Sequence, residues 1–302
     1  MKRIFISILS AFTLSYSSPL DTINSIRTHA GAGVLKKSSI LSLAAKKHAI
    51  YLYSHGSYSH YESKGAKNYF ASTPWYRIAK AGYATKAVGE DISFYEPNFN
   101  ASIKKLMGTV YHRISLLDLR FDTIGYASYH KIYVYDLSNS YLAKMCKRSF
   151  ATNGDYVTDI CAGGDKRVSS YELNRATTIV EKRSKLLVRY PYPNQKNVAL
   201  KLVQENPQFI YGNNYGLAVT ATFNKAKYKT LDLLSFKLLK NGAEVMTEFV
   251  TKRNDIQEKI DENSFVLVPM SPLKRASTYK VELNVLLNGK AKNFVWKFRT
   301  RP

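Results

Sequence analysis

Three residues able to carry a proton or bind a cation stand at separate places in the chain: His60 in YSHYES, Glu90 in AVGEDIS and His112 in LMGTVYHR. Two imidazoles and a carboxylate are a full set of protein ligands for zinc with one coordination position left open, the arrangement that acidifies a bound water. Without a metal, the same groups make a pH-sensitive hydrogen-bond cluster, because histidine titrates nearest neutrality. A third arrangement is structural, with Glu90 accepting from both rings and Arg113 as a further donor. The three readings stay open at the level of sequence.

Other polar residues are weaker candidates. His48 falls on the inner face of a helical pattern and reads as a core residue, whereas His55 beside Gly56 reads as a loop residue near the rim of the same region. Ser57 and Ser59 lie close to His60, but no GxSxG elbow exists to present a nucleophile. Asp261, Glu262 and Asn263 lack the repeat spacing of a calcium loop.

The elements that must position these groups can be read from periodicity. DTINSIRTHA has helical spacing and stops at Gly31; a longer helix capped by Ser38 or Ser39 carries Leu41, Ala44, Ala45, His48, Ala49 and Leu52 up to Gly56; a short third helix begins at Pro74. ASIKKLMGTVYHRISLLDL reads as one helix with His112 two residues beyond Val110, and FDTIGYAS with KIYVYDL as a strand hairpin. Helices interleaved with a terminal hairpin favour α+β layers over a doubly wound parallel sheet. After Gln204 helical periodicity nearly vanishes, and Asn241-Gly242 and Asn288-Gly289, each between strand-like runs, signal hairpins of an all-β sandwich. SSYELNRATTIVEKRS reads as a connecting helix.

The 302 residues therefore divide into a leader (1–17), a mixed domain (18–140), a connector (141–188) and a β module (189–302). The leader has Lys2 and Arg3, an apolar run from Ile4 to Leu14 and small residues at Ser15 and Ser17, the layout of a secretory signal, and no later run spans a bilayer. Export, to the periplasm or the medium, makes Cys146 and Cys161 an expected disulfide, since they are the only two cysteines. The formal charge of +23 is spread along the chain without a basic recognition element. It predicts attraction to anionic envelope polymers or lipid surfaces and no specific nucleic-acid binding.

The blocks HAIYLYSHGSYSHYESKG, RIAKAGY, VGEDIS, LMGTVYHR and FDTIGYA, taken in order, resemble the bacterial branch of the CAP superfamily, the cysteine-rich secretory, antigen 5 and pathogenesis-related (SCP) family, over roughly residues 20 to 130. The resemblance implies a three-layer αβα sandwich with a cleft into which His60, Glu90 and His112 point. It implies a lipid or small-molecule ligand for that cleft, with a metal-dependent hydrolase as the alternative. The family's second glutamate, in the helix before the second histidine, has no counterpart in ASIKKLMGTVY, and Asp91 replaces the usual asparagine. The module that follows is similar to immunoglobulin-like domains.

Overall fold

The computed structural model describes residues 18–148, 154–164 and 166–302; the predicted leader, residues 1–17, lies outside them. The first element, α1 (Pro19–Ala30), starts in a capping box between Ser18 and Asp21 and ends on Gly31, whose φ of 103° suits a residue without Cβ. After β1 (Lys36–Lys37), the long helix α2 (Ser39–His55) is capped by Ser38 and closed by Gly56, also left-handed at φ 57°. A short α3 (Pro74–Lys80) follows, with Thr73 capping it and Pro74 in its first turn. Then come β2 (Val88–Phe94), α4 (Phe99–Gly108), α5 (Tyr111–Leu116) and the hairpin β3 (Thr123–Tyr129) and β4 (Ile132–Ser138).

These elements make three layers. The central sheet has the order β1-β3-β4-β2, with β1 parallel to β3 and the other pairs antiparallel. One face packs on α2, where Ala45, Ala49 and Leu52 meet Ile92 and Val134. The other packs on α1, α4 and α5, where Ile23, Ile103, Leu106 and Leu116 meet Tyr133, Tyr135 and Leu137. Gly125 makes the first contact close: a Cβ there would stand 2.1 Å from the Ser42 nitrogen. The IG pair of FDTIGYA therefore lies within β3, under the helix.

The helix expected across residues 101–119 is interrupted. Thr109 is extended (φ −88°, ψ 178°), so α4 stops at Gly108 and α5 begins afresh, placing His112 in the first turn of a new helix rather than at the end of an old one. Neighbouring chain explains the break. Val203 N donates to Gly108 O at 3.0 Å, and a Cβ on Gly108 would lie 2.5 Å from the Val203 side chain.

The connector holds α6 (Ser140–Cys146), β5 (Tyr156–Val157), β6 (Val168–Ser169) and α7 (Ser170–Glu181). Cys146 and Cys161 are disulfide-bonded, their Cα atoms 5.3 Å apart, as the even count predicts. The bond sits in a small core with Leu142, Met145 and Val168, and Ala162 N donates to Ala84 O, which ties this loop to the mixed domain.

The remaining strands are β7 (Leu187–Tyr190), β8 (Val219–Phe223), β9 (Leu231–Lys240), β10 (Ala243–Glu244), β11 (Thr247–Val250), β12 (Ser264–Pro269), β13 (Thr278–Leu287) and β14 (Lys290–Arg299). They form two four-stranded antiparallel sheets, β11-β12-β8-β7 and β10-β9-β13-β14. Both contribute to one apolar cluster that includes Val219, Phe223, Leu267, Leu238, Val281 and Trp296. Asn241-Gly242 and Asn288-Gly289 form the two predicted hairpin turns, each with positive φ at both residues. The first strand begins at Leu187, two residues before the expected boundary.

Candidate cleft at the edge of the central sheet

Side chains of a strand alternate between faces, so consecutive residues of β2, the edge strand, serve opposite layers. Glu90 points to the α2 and α3 side; Asp91 points to the α4 and α5 side. Each is the centre of a separate polar cluster, and the two clusters meet where the edge opens.

On the first side Glu90 is saturated. Arg77 of α3, fully buried, donates Nη2 to Glu90 Oε1 at 2.8 Å and to Oε2 at 2.6 Å, and also to the His60 carbonyl at 3.0 Å. His60 Nδ1 stands 2.8 Å from Glu90 Oε1. Across the sheet Glu90 pairs in register with Asp136, a buried carboxyl that meets no donor among the described residues. Burial and the Glu90 charge push Asp136 well above the usual carboxylate range. Burial would raise Glu90 too, but the charges of Arg77, His48 and His60 outweigh it and hold Glu90 at about 2. His48 is a core residue as expected, with Nδ1 2.9 Å from buried Glu62, whose other oxygen accepts from Phe70 N at 2.6 Å.

On the second side the partner comes from the β module. Glu205 Oε2 lies 2.9 Å from His112 Nδ1, and Glu205 also accepts from Val110 N at 2.8 Å and Tyr111 N at 3.1 Å. It thereby caps α5, which has no side-chain cap of its own. Burial disfavours the imidazolium, yet the Glu205 hydrogen bond and the charges of Asp91 and Glu205 raise the His112 pKa. Burial likewise opposes ionised Glu205, but His112 and the two amides lower its pKa. Asp91 is 1% exposed and its Oδ2 has no partner among the described residues; burial pushes it up to about 7 against the pull of His112 and the Ser115 hydroxyl.

A cavity of about 470 Å³ brings both sides together, walled by His60, Glu90, Asp91 and His112 with Glu205, Pro207 and Lys259 of the module, and by Tyr61, Trp75 and Phe121. A second cavity of about 230 Å³ adjoins it along Ile92, Ser93 and Phe94 and shares His60, His112 and Glu205.

Residues 20–135 match the family model described as Cysteine-rich secretory protein family, CAP. These residues form a CAP domain. Two solved structures resemble part of the chain: an extracellular protein containing a SCP domain from Bacillus anthracis (20% identity, TM-score 0.37, 40% of this chain and 38% of that one) and an outer surface protein from Borrelia burgdorferi (20% identity, TM-score 0.32, 38% and 83%). The chain thus spans 38% of the length of the Bacillus anthracis protein. No curated protein matches it. Among the described residues no helix is long and apolar enough to cross a membrane.

His60, Glu90 and His112, the expected zinc set, all line the larger cavity. Among the described residues no three of His, Cys, Asp or Glu gather to hold an ion. Both oxygens of Glu90 are held by Arg77, and His112 is hydrogen-bonded through Nδ1 to Glu205. Arg113 is not a donor to Glu90 either. It is buried with Nε on Met107 O at 2.8 Å and Nη1 on Ala218 O at 2.6 Å, joining the CAP domain to the residue that precedes β8. Sequence reading missed Arg77, Glu62, Asp136 and Glu205. Only Arg77 left a signal, a charged residue beside Ile78 in the block RIAKAGY.

Proposed function

We propose that the chain is an exported bacterial envelope or extracellular protein whose CAP cleft holds a ligand, a lipid or another small molecule, without chemically transforming it. The observation that carries this reading is that Glu90, the carboxylate of the expected set, is engaged at both oxygens by Arg77 and at Oε1 by His60 as well. The walls around it suit retention instead, mixing Trp75, Tyr61 and Phe121 with a few polar atoms. Export is supported by the leader pattern and by the disulfide, a bond that persists in oxidising compartments. A metal-dependent hydrolase using His60, Glu90 and His112 is the less favoured alternative.

The module of residues 187–302 we read as immunoglobulin-like. Lettered A, B, C, C′, D, E, F and G in chain order, its strands run D-E-B-A in one sheet and C′-C-F-G in the other, which supports that topology.

Native mass spectrometry of the chain secreted by its own host tests the cleft reading. A bound mass on the wild type, lost when Ile114→Trp fills the cavity, is the expected result. Zinc-dependent ester or amide hydrolysis that disappears in His112→Ala would overturn it.

A further inference from the structure

The two cavities follow one feature end to end, the free edge of β2: Val88 to Asp91 line the larger and Ile92 to Phe94 the smaller. Which backbone groups face them follows from the ladder. Tyr95 N donates to Lys131 O at 2.8 Å, so that pair is a bonded one, and antiparallel alternation makes Ser93, Asp91 and Gly89 the bonded residues facing β4. Phe94, Ile92, Glu90 and Val88 must then turn their N–H and C=O outward. Lys105 Nζ independently marks this direction by reaching Phe94 O at 3.1 Å. Among the described residues the outward groups of Val88, Glu90 and Ile92 have no protein partner.

We propose that this edge receives an extended acidic peptide, which adds as a further strand to the central sheet inside the cleft. The proposal rests on the reading above that the cleft holds a ligand, and gives that ligand as a peptide in place of a lipid. An extended chain offers a donor and an acceptor at every second residue, the repeat at which Val88, Glu90 and Ile92 present theirs, and an unpaired strand edge is a template for such addition. Saccharides and lipid tails do not supply that ladder. The acidic character follows from charge. Glu90 is offset by Arg77, Glu205 by His112 and Asp118 by Arg120. Among the described residues this leaves two lining groups without an ion-pair partner: Asp91, whose ionisation burial opposes, and Lys259, its ammonium resting 5.2 Å from the centre of the Tyr111 ring. The +23 chain draws acidic partners toward that wall. Asp91 Oδ2, buried without a donor at the lip of the same edge, would accept from a hydroxyl side chain of the incoming strand.

The test is selection of a random heptapeptide display library on residues 18–302, followed by amide hydrogen exchange with the recovered peptide. Recovered sequences should be rich in Glu or Asp among β-branched residues, and should slow exchange at Val88, Glu90 and Ile92 at least tenfold while leaving Gly89 and Ser93 unchanged. Val88→Pro, which removes an outward N–H and spares the ladder to β4, should weaken that peptide at least tenfold. Lys259→Ala should weaken acidic peptides and not their Gln or Asn versions. Recovery of no peptide, or peptides that protect none of the three amides, would overturn the proposal; should Val88→Pro fail to fold, the wild-type exchange pattern decides. A co-purifying mass in the cleft without edge protection would remove the strand-addition proposal and leave the ligand-binding reading standing.

Discussion

His112 of the CAP domain and Glu205 of the β module stand 2.9 Å apart, and the same carboxylate caps the helix that carries His112. One side chain of the module therefore both starts α5 and fixes the imidazole on the cleft wall. Glu205→Gln should lower stability by about 1.5–3 kcal/mol, the range for a hydrogen bond to a charged group, measured by urea denaturation. The loss should depend on pH in a defined way. Glu205, with its pKa lowered, contributes above its unfolded value and stops contributing as pH falls through its folded value; His112, with its pKa raised, contributes below its unfolded value and stops as pH rises through its folded value. The difference between wild type and variant should peak between those two folded values and shrink on both sides.

Arg77 bridges Glu90 and the His60 carbonyl, and it is fully buried. Arg77→Met leaves Glu90 charged without that partner, which should cost about 3–5 kcal/mol by chemical denaturation. Arg77→Lys should recover only part of this, because an ammonium cannot reproduce the planar guanidinium's contacts.

Asp91 is a buried carboxyl whose pKa is pushed up to about 7. Its folded value lies above the unfolded one, so folding favours the protonated form and stability falls as pH rises from the unfolded value to the folded one. Asp91→Asn should therefore stabilise the chain at pH 8 by up to about 4 kcal/mol, with the gain fading toward pH 4. Thermal unfolding at the two pH values checks this.

The Cys146–Cys161 bond closes a loop of sequence separation 15. Replacing both cysteines by Ser should cost about 3 kcal/mol in the chain-entropy account. Because the loop docks on Ala84, exchange of amides there should rise in parallel.

The formal charge of +23, which is +21 once Lys2 and Arg3 leave with the expected leader, predicts binding to anionic vesicles or wall polymers that weakens sharply as salt rises. Scattered exposed charges are screened beyond about 10 Å at 0.1 M salt, so retention should largely vanish by about 0.5 M. Cosedimentation at increasing salt measures it.

Local physics was legible in the chain itself. Ser38 and Pro74 set helix starts; Gly31 and Gly56 set helix ends; two Asn-Gly pairs set hairpins; and an even cysteine count gave the disulfide. Spaced blocks also marked His60, Glu90 and His112, and all three line one cavity. What the chain alone could not reveal is who neutralises them. Arg77 is 13 residues from Glu90 and Glu205 is 93 from His112, distances at which no periodicity speaks. The same holds for the break at Thr109, which the helical pattern of ASIKKLMGTVYHR opposes and which Val203 and Glu205 impose by bonding Gly108 O and the α5 amides. Residue types decided which groups could meet in the cleft. The tertiary structure decided which charges were already satisfied, because a buried ionised group is held by whatever partner the fold brings within hydrogen-bond reach.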